Sequence, residues 1–153
     1  MDRIDRQICG LLQEDGRATN AEIAEVLGVS VSTASDRVRR LISNGTIKSF
    51  QARIDTRSAG ADFCCFLLID MVYDGEQAAV EALSARPEVL ELHHISGPHS
   101  YLAKIRVSDA SALEAFLQEA VKPLAAVHRT ETFFSMSVRK ETSAVKITPP
   151  GQA

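Results

Sequence analysis

The stretch TNAEIAEVLGVSVSTASDRVRR, from Thr19 to Arg40, reads as two short helices joined by a tight turn. Thr19 and Glu22 have the spacing of a capping box, which predicts that a helix begins there. Gly28 suits the left-handed residue that ends such a helix, and Ser30 is placed to cap the next one. The stretch therefore predicts a helix-turn-helix unit with a glycine-centred turn.

The second of these helices has one apolar face and one polar face. The residues expected to face inward are Ala34, Val38, Leu41 and Ile42. Small hydroxyl side chains followed by arginines suit a helix that lies in the major groove of DNA. The residues expected to contact DNA are Ser30, Ser32, Thr33, Ser35, Asp36, Arg37, Arg39, Arg40 and Lys48. Of these, Ser32, Thr33 and Asp36 are expected to meet base edges, and the basic side chains to contact phosphates or guanine. The alternative is an αα-hairpin with a solvated basic face.

Composition bounds the class of protein. The chain has 153 residues, of which 45% are hydrophobic, and this suits one ordinary domain or two small ones. Residues 1–50 carry seven acidic and seven basic side chains, so the net charge of −3 arises in the remainder. A neutral N-terminal part with a local basic edge predicts weak DNA binding by one copy and favours an oligomer. No signal peptide or membrane span is evident, so a cytoplasmic location is expected. Cys9, Cys64 and Cys65 are expected to be free thiols.

The rest of the chain reads as one more helix, before the helix-turn-helix, and a mixed α+β domain after it. A first helix is predicted from about Asp2 to Glu14, and the segment 46–54 reads as extended, which is the pattern of a winged helix. After a joint near Gly60, the predicted order is strand, helix, strand, strand, helix, strand. The four strands are predicted at 63–72, 89–96, 101–107 and 127–138. Of the two helices, one begins at 74–75 and the other spans 113–121. This order is the ferredoxin-like βαββαβ arrangement.

The predicted fold class is therefore α+β, with an N-terminal winged helix-turn-helix domain and a C-terminal ferredoxin-like domain. The predicted boundaries are 1–48 for the DNA-binding domain, 49–61 for a linking strand and hinge, 62–140 for the ferredoxin-like domain, and 141–153 for a C-terminal tail. One face of the sheet lacks helices, so pairing two sheets would bury it and form a dimer. The tail could add an edge strand, possibly to a neighbouring chain.

Several short motifs together resemble the Lrp/AsnC family, also called the feast/famine regulators. They are Asp5-Arg6, Leu11-Leu12, Asp15-Gly16-Arg17, Ile23-Ala24, Leu27-Gly28-Val29-Ser30, Arg37-Val38-Arg39-Arg40-Leu41, Gly45, Ile47, Ser96-Gly97, Tyr101-Leu102, Lys104 and Arg106-Val107. The likeness covers essentially the whole chain. It implies a bacterial or archaeal transcription factor whose dimers assemble through their C-terminal domains, often into octamers. It also implies a small-molecule effector, typically an amino acid, bound where dimers meet.

Carried over by this resemblance, the effector site lies in one turn and in facing residues of the last strand. The residues are Ser96, Gly97, Pro98, His99, Ser100, Tyr101, Thr130, Thr132, Phe133 and Phe134. The family's turn usually carries acidic residues after the glycine and before the tyrosine, where this chain has Pro98 and Ser100. The contact that such a carboxylate makes to an ammonium group is therefore absent. The chain senses a different ligand, uses backbone groups, or has no ligand.

Other chemistry has little support in the sequence. His93 and His94 are adjacent, so in a strand they point to opposite faces, and no second cluster of ligands accompanies them. No nucleophile elbow, phosphate loop or carboxylate pair is present, so no catalytic residue, metal or cofactor is expected. Some sirohaem decarboxylases resemble this family in fold, which keeps an enzyme as an alternative. A DNA-packaging protein without a ligand is another.

Overall fold

The computed structural model describes residues 1–147, which form two compact units. The N-terminal unit comprises residues 1–53 together with 141–147, and the C-terminal unit comprises 54–140. Each unit has its own buried cluster of apolar side chains. The structure thus supports a two-domain organisation, and it assigns the tail to the N-terminal unit.

Three helices build the N-terminal unit: α1 (Arg3–Glu14), α2 (Asn20–Leu27) and α3 (Val31–Ser43). The expected caps are present: Thr19 and Glu22 form a reciprocal capping box, and Gly28 ends α2 in the left-handed region with a φ of 65°. The shared core contains Ile8, Ile23, Ala24, Ala34 and Leu41, each nearly inaccessible to solvent. The predicted inward position of Ile42 is wrong, since this side chain is 47% exposed. One position beyond Leu41, it lies about 100° further round the helix, away from the core.

The segment between α3 and the first strand differs from the prediction. Within residues 44–62 the chain forms turns and irregular backbone and no β-strand, so the linking strand predicted at 49–61 is absent from the described fold. An extended segment becomes a strand only when a neighbouring segment supplies ladder hydrogen bonds, and this single chain supplies none there. Ile47 still packs against the helical core, as expected.

The C-terminal unit contains a four-stranded antiparallel sheet. Its elements are β1 (Phe63–Met71), α4 (Glu76–Ser84), β2 (Val89–His94), β3 (Tyr101–Val107), α5 (Ala110–Phe116) and β4 (Val127–Phe134), with a π-helical turn at Leu117–Val121 after α5. The strand order is β2-β3-β1-β4. The ferredoxin-like prediction is confirmed, although β2 and β4 end two and four residues earlier than expected, at His94 and Phe134.

The two faces of the sheet are unlike. Cys65, Leu67 and Ile69 of β1 are fully buried against the helices, where Leu83 and Phe116 complete the core. The alternate residues belong to the other face, which we call the open face. It carries Phe66, Leu68, Leu102, Lys104, Glu131 and Phe133. Leu68 and Leu102 stay half-buried there and Phe133 is 52% exposed, so the open face presents apolar surface.

The tail adds no edge strand to the sheet of its own chain within the described residues, and pairing with a neighbouring chain stays a prediction. Residues 141–147 contain no strand, and they return to α1, where the Gln13 side chain accepts a hydrogen bond from the N–H of Val145 (2.7 Å) and donates one to its carbonyl (3.1 Å). The rest of the tail, residues 148–153, lies outside the described residues.

Candidate nucleic-acid interface and effector site

The N-terminus of α3 is fixed by hydroxyl groups. Ser30 Oγ accepts the backbone N–H of Thr33 (3.1 Å), which is the predicted N-cap. The same oxygen lies 2.9 Å from Ser32 Oγ and 2.7 Å from Thr33 Oγ1. Three hydroxyls therefore form one small network at the helix start, on a surface that is open to solvent. Their remaining hydrogen-bonding capacity is available to a phosphate or a base edge.

The predicted DNA-contacting residues are not all equally accessible to solvent. Exposed are Ser30, Ser32, Thr33, Asp36, Arg39, Arg40 and Lys48, and half-buried are Ser35 and Arg37. Arg39 and Asp36 form an exposed pair at 3.3 Å, of the kind that water and salt easily open. Arg39 is therefore available to a phosphate.

Arg37 has an environment that sequence reasoning missed. Its Nη1 lies 2.5 Å from Asp2 Oδ2 and 2.9 Å from Asp5 Oδ1, and only 23% of its side chain is exposed. Arg40 also reaches Asp5, with Nη2 at 2.8 Å and 2.9 Å from the two carboxylate oxygens. We call these four residues the Asp/Arg cluster. Two acids three residues apart at the start of α1 were the available signal, but sequence reasoning assigned them no role.

Ionisation of the two acids is strongly favoured. The hydrogen bond from Arg37, followed by that from the Asp5 backbone, lowers the pKa of Asp2 to about 2. For Asp5, burial acts to raise the pKa, but hydrogen bonds from the Asp2 backbone and from Arg37 outweigh it, so the pKa lies below its ordinary value. The Asp/Arg cluster is therefore fully charged at neutral pH, and it holds two anions against two cations of α3.

The predicted effector turn is anchored to the end of β1. Ser100 donates its backbone N–H to the carbonyl of Ile69 (3.0 Å), and its Oγ accepts the N–H of Met71 (3.2 Å). His99 Nδ1 lies 3.0 Å from Asp70 Oδ1. Gly97 has a φ of 133°, which favours glycine, while Ser96, Gly97 and Pro98 are exposed. The turn is therefore held at its end and open at its tip.

Tyr101 begins β3 with its ring buried and its hydroxyl bound. The hydroxyl donates to Glu76 Oε1 (2.9 Å), and the His94 ring stacks on the phenol at a centroid distance of 4.8 Å. Burial and then the Glu76 hydrogen bond raise the pKa of Tyr101. This side chain joins the turn to the start of α4.

The predicted residues of β4 do not all lie near that turn. Thr130 and Tyr101 both pair with Ile69, from the two strands on either side of β1, so they lie about 10 Å apart at one end of the sheet. Phe134 pairs with Cys65, about 13 Å further along the strand. Phe133 projects from the open face, and Thr132 is half-buried beside Leu67. Within one chain the predicted residues are thus spread along β4 from its middle to its end, away from the turn.

A shallow cleft of about 230 Å³ separates the π-helical turn from the start of β4. Its lining residues are Leu117, Gln118, Val121, Lys122, Val127, His128, Arg129 and Thr130. Thr130 alone belongs to the predicted effector set. Across residues 1–147, no group of three His, Cys, Asp or Glu side chains is arranged to hold a metal ion. No helix in that range is long and apolar enough to cross a membrane.

Comparison with known proteins identifies both units. Residues 1–48 match a winged helix-turn-helix DNA-binding family, and residues 64–145 match the Lrp/AsnC ligand-binding domain. An uncharacterised HTH-type transcriptional regulator of Pyrococcus abyssi is 38% identical over 140 residues, which cover 92% of this chain and 89% of the relative. The leucine-responsive regulatory protein of Salmonella typhimurium is 35% identical over 153 residues, covering 96% and 92%.

Solved structures agree with these relatives. The leucine response regulatory protein of Mycobacterium tuberculosis is 33% identical with a TM-score of 0.82, over 92% of this chain and 96% of that one. A Neisseria meningitidis regulator solved with L-Met has a TM-score of 0.90 over 95% and 96%, but at 24% identity it shows the fold alone. The matched families and relatives are of regulators, which confirms the prediction of a regulator rather than an enzyme. The chain belongs to the Lrp/AsnC family of transcriptional regulators.

Proposed function

We propose that this protein is a cytoplasmic, sequence-specific DNA-binding regulator whose assembly and DNA affinity respond to an amino-acid effector. The DNA-binding part of this proposal rests on the exposed polar face of α3. Its capped start presents Ser32 and Thr33, and its later turns present Arg39 and Arg40. Hydroxyls and arginines on one rigid helix supply both base-edge and phosphate contacts.

Two copies are needed for tight binding. The first 50 residues are neutral overall, so one α3 gives a modest electrostatic contribution. Pairing two open faces would bury Leu68, Leu102 and Phe133 and would present two reading helices to two half-sites. Higher assembly, to an octamer, would multiply these contacts. Leu102→Asp places a charge in the middle of the open face and should give a monomer by light scattering, whereas Ser111→Asp, at an exposed position of α5, should leave the assembly unchanged.

The effector half rests on the second unit. It matches a ligand-binding domain, and the Neisseria meningitidis neighbour of the same fold was solved with L-Met. In this chain the turn at 96–101 and Thr130 of β4 lie at the same end of the sheet, and they are our candidate contacts. An effector changes assembly only by binding one assembly state more tightly than the other.

Two measurements test the proposal. Selection from a pool of randomised duplexes should enrich a sequence with two half-sites one or two helical turns apart. A thermal-shift screen of the twenty amino acids, with light scattering on each hit, should find a stabilising amino acid that changes the assembly. Ser100→Ala should weaken that hit, and Ser111→Ala serves as the matched control. Salt-sensitive binding without sequence preference would favour a packaging protein, and no amino-acid hit would refute the effector half.

A further inference from the structure

Asp5 is a buried carboxylate that faces the DNA-reading helix. The residue is 4% exposed, although it stands at the third position of α1. Both of its oxygens accept hydrogen bonds from Arg40 Nη2, and Oδ1 also accepts Arg37 Nη1. A buried carboxylate is retained only when its charge is matched and its lone pairs are used, and here two cations of α3 do both.

The carboxylate itself is held in place by the start of α1. Asp2 and Asp5 form a reciprocal capping box, in which Asp2 Oδ1 accepts the Asp5 N–H (2.9 Å) and Asp5 Oδ2 accepts the Asp2 N–H (3.2 Å). The second carboxylate oxygen of Asp2, Oδ2, accepts a hydrogen bond from Arg37 Nη1 (2.5 Å). Backbone hydrogen bonds therefore orient the two acids, and the acids in turn orient the two arginines.

The two arginines are left in different states. Arg37 is bound by both acids and mostly covered, so little of its charge is available to DNA. Arg40 is held through Nη2 alone, and 55% of its side chain is exposed. Within residues 1–147 its Nε and Nη1 make no hydrogen bond. Asp5 therefore fixes one edge of this guanidinium and leaves its other donors unused, on a side chain that is more than half exposed.

We propose that Asp5 is a positioning residue that determines DNA sequence specificity through Arg40. This rests on the proposed function, that α3 binds DNA. A guanidinium on a mobile stem pairs with any phosphate it meets, whereas one fixed by a carboxylate donates its free edge in one direction. Directed, bidentate donation is what distinguishes guanine from other bases. The carboxylate charges also offset Arg37 and Arg40, which lowers attraction to DNA of any sequence.

Asp5→Asn tests the proposal, because Asn keeps the size and one acceptor oxygen but removes the charge. Affinities are measured by fluorescence anisotropy for the duplex selected by the wild type and for a scrambled duplex, over a range of salt. We expect the ratio of the two affinities to fall about 10-fold, which lies within the range for losing one directed base contact. We expect binding to the scrambled duplex to stay equal or to tighten, with a salt slope steeper by about one unit.

A merely structural role predicts a different result. Loss of folded protein weakens binding to both duplexes equally and leaves their ratio unchanged. In an Arg40→Gln background, Asp5→Asn should have no further effect on the ratio, because the side chain through which it acts is gone. Asp62→Asn makes the same change of charge beside exposed Arg57 in the other unit and should leave the ratio as in the wild type.

Two outcomes would overturn the proposal in distinguishable ways. If the wild type selects a sequence and Asp5→Asn keeps the same ratio and salt slope, Asp5 has no positioning role and the proposed function stands. If the wild type shows no preference between duplexes, sequence-specific binding fails and the role of Asp5 fails with it. Should Asp5→Asn not fold, Asp5→Asn/Arg37→Gln removes one anion and one cation together, and the same loss of ratio is expected.

Discussion

Adding one methyl group at Gly28 and at Gly10 should change the stability of the N-terminal unit in opposite directions. Apart from the adjoining backbone, neither added Cβ would meet another atom within 4 Å, so tertiary packing contributes to neither change. Gly28 has a φ of 65°, where a Cβ costs about 1–2 kcal/mol. Part of this is offset because Ala loses less entropy on folding, leaving about 1 kcal/mol of destabilisation. Gly10 lies inside α1, where Ala is favoured by about 0.5–1 kcal/mol.

The two variants should therefore differ by about 2 kcal/mol in the free energy of unfolding, the sum of the two effects. Urea denaturation followed by circular dichroism measures each, and the thermal midpoints should separate by about 8–16 °C for a unit of this size. Gly28→Asn should be milder than Gly28→Ala, because Asn tolerates the left-handed region. Equal shifts for Gly28→Ala and Gly10→Ala, or a more stable Gly28→Ala, would refute the assignment of Gly28 as the conformational stop of α2.

Three further results are expected. Ser30→Ala removes the cap of α3 and should cost about 1 kcal/mol in urea unfolding, together with weaker DNA binding by anisotropy; unchanged values for both would contradict the cap. The pKa of Tyr101 is raised in the folded state, so the stabilisation by its neutral hydroxyl is fully present below the unfolded pKa of about 10 and is lost as pH rises through the folded pKa. The urea midpoint of the wild type should therefore fall in strongly alkaline buffer, and the midpoint of Tyr101→Phe should fall less. Burial and then the neighbouring Cys64 raise the pKa of Cys65 to about 11, so Ellman's reagent at pH 8 should label Cys65 only on unfolding. Half-buried Cys9 can react in the native protein, so the labelled thiol is located by mass spectrometry, and rapid native labelling of Cys65 itself would refute its burial.

Local rules predicted the ends of helices well, because each cap lies within a few residues of what it binds. Thr19, Gly28 and Ser30 all have the predicted roles. The strand at β1 was also predictable from its nearly continuous apolar run. The structure covers only one of its faces with helices, and the other apolar residues of the run form the open face. Ile42 shows the limit of this reasoning: an apolar side chain next to a core position reads as core, although the helix turns it outward.

Contacts between distant parts of the chain could not be predicted. Asp5 and Arg40 are 35 residues apart, and nothing in the helical periodicity of either segment pairs them. The return of Val145 to Gln13 spans 132 residues and was equally hidden. In the effector region, the resemblance grouped Thr130 with Phe134, and in the sheet Thr130 pairs with Ile69 whereas Phe134 pairs with Cys65, about 13 Å further along the strand.

The most direct test of the account is a competition titration with the duplex selected by the wild type. The duplex and a scrambled version are titrated at one salt concentration, with and without the amino acid found in the thermal-shift screen. We expect the selected duplex to bind at least about 10³-fold more tightly than the scrambled one, as specific regulators do. We also expect the amino acid to change that affinity together with the assembly state. Equal affinity for the two duplexes, unchanged by any amino acid, would contradict the proposed function.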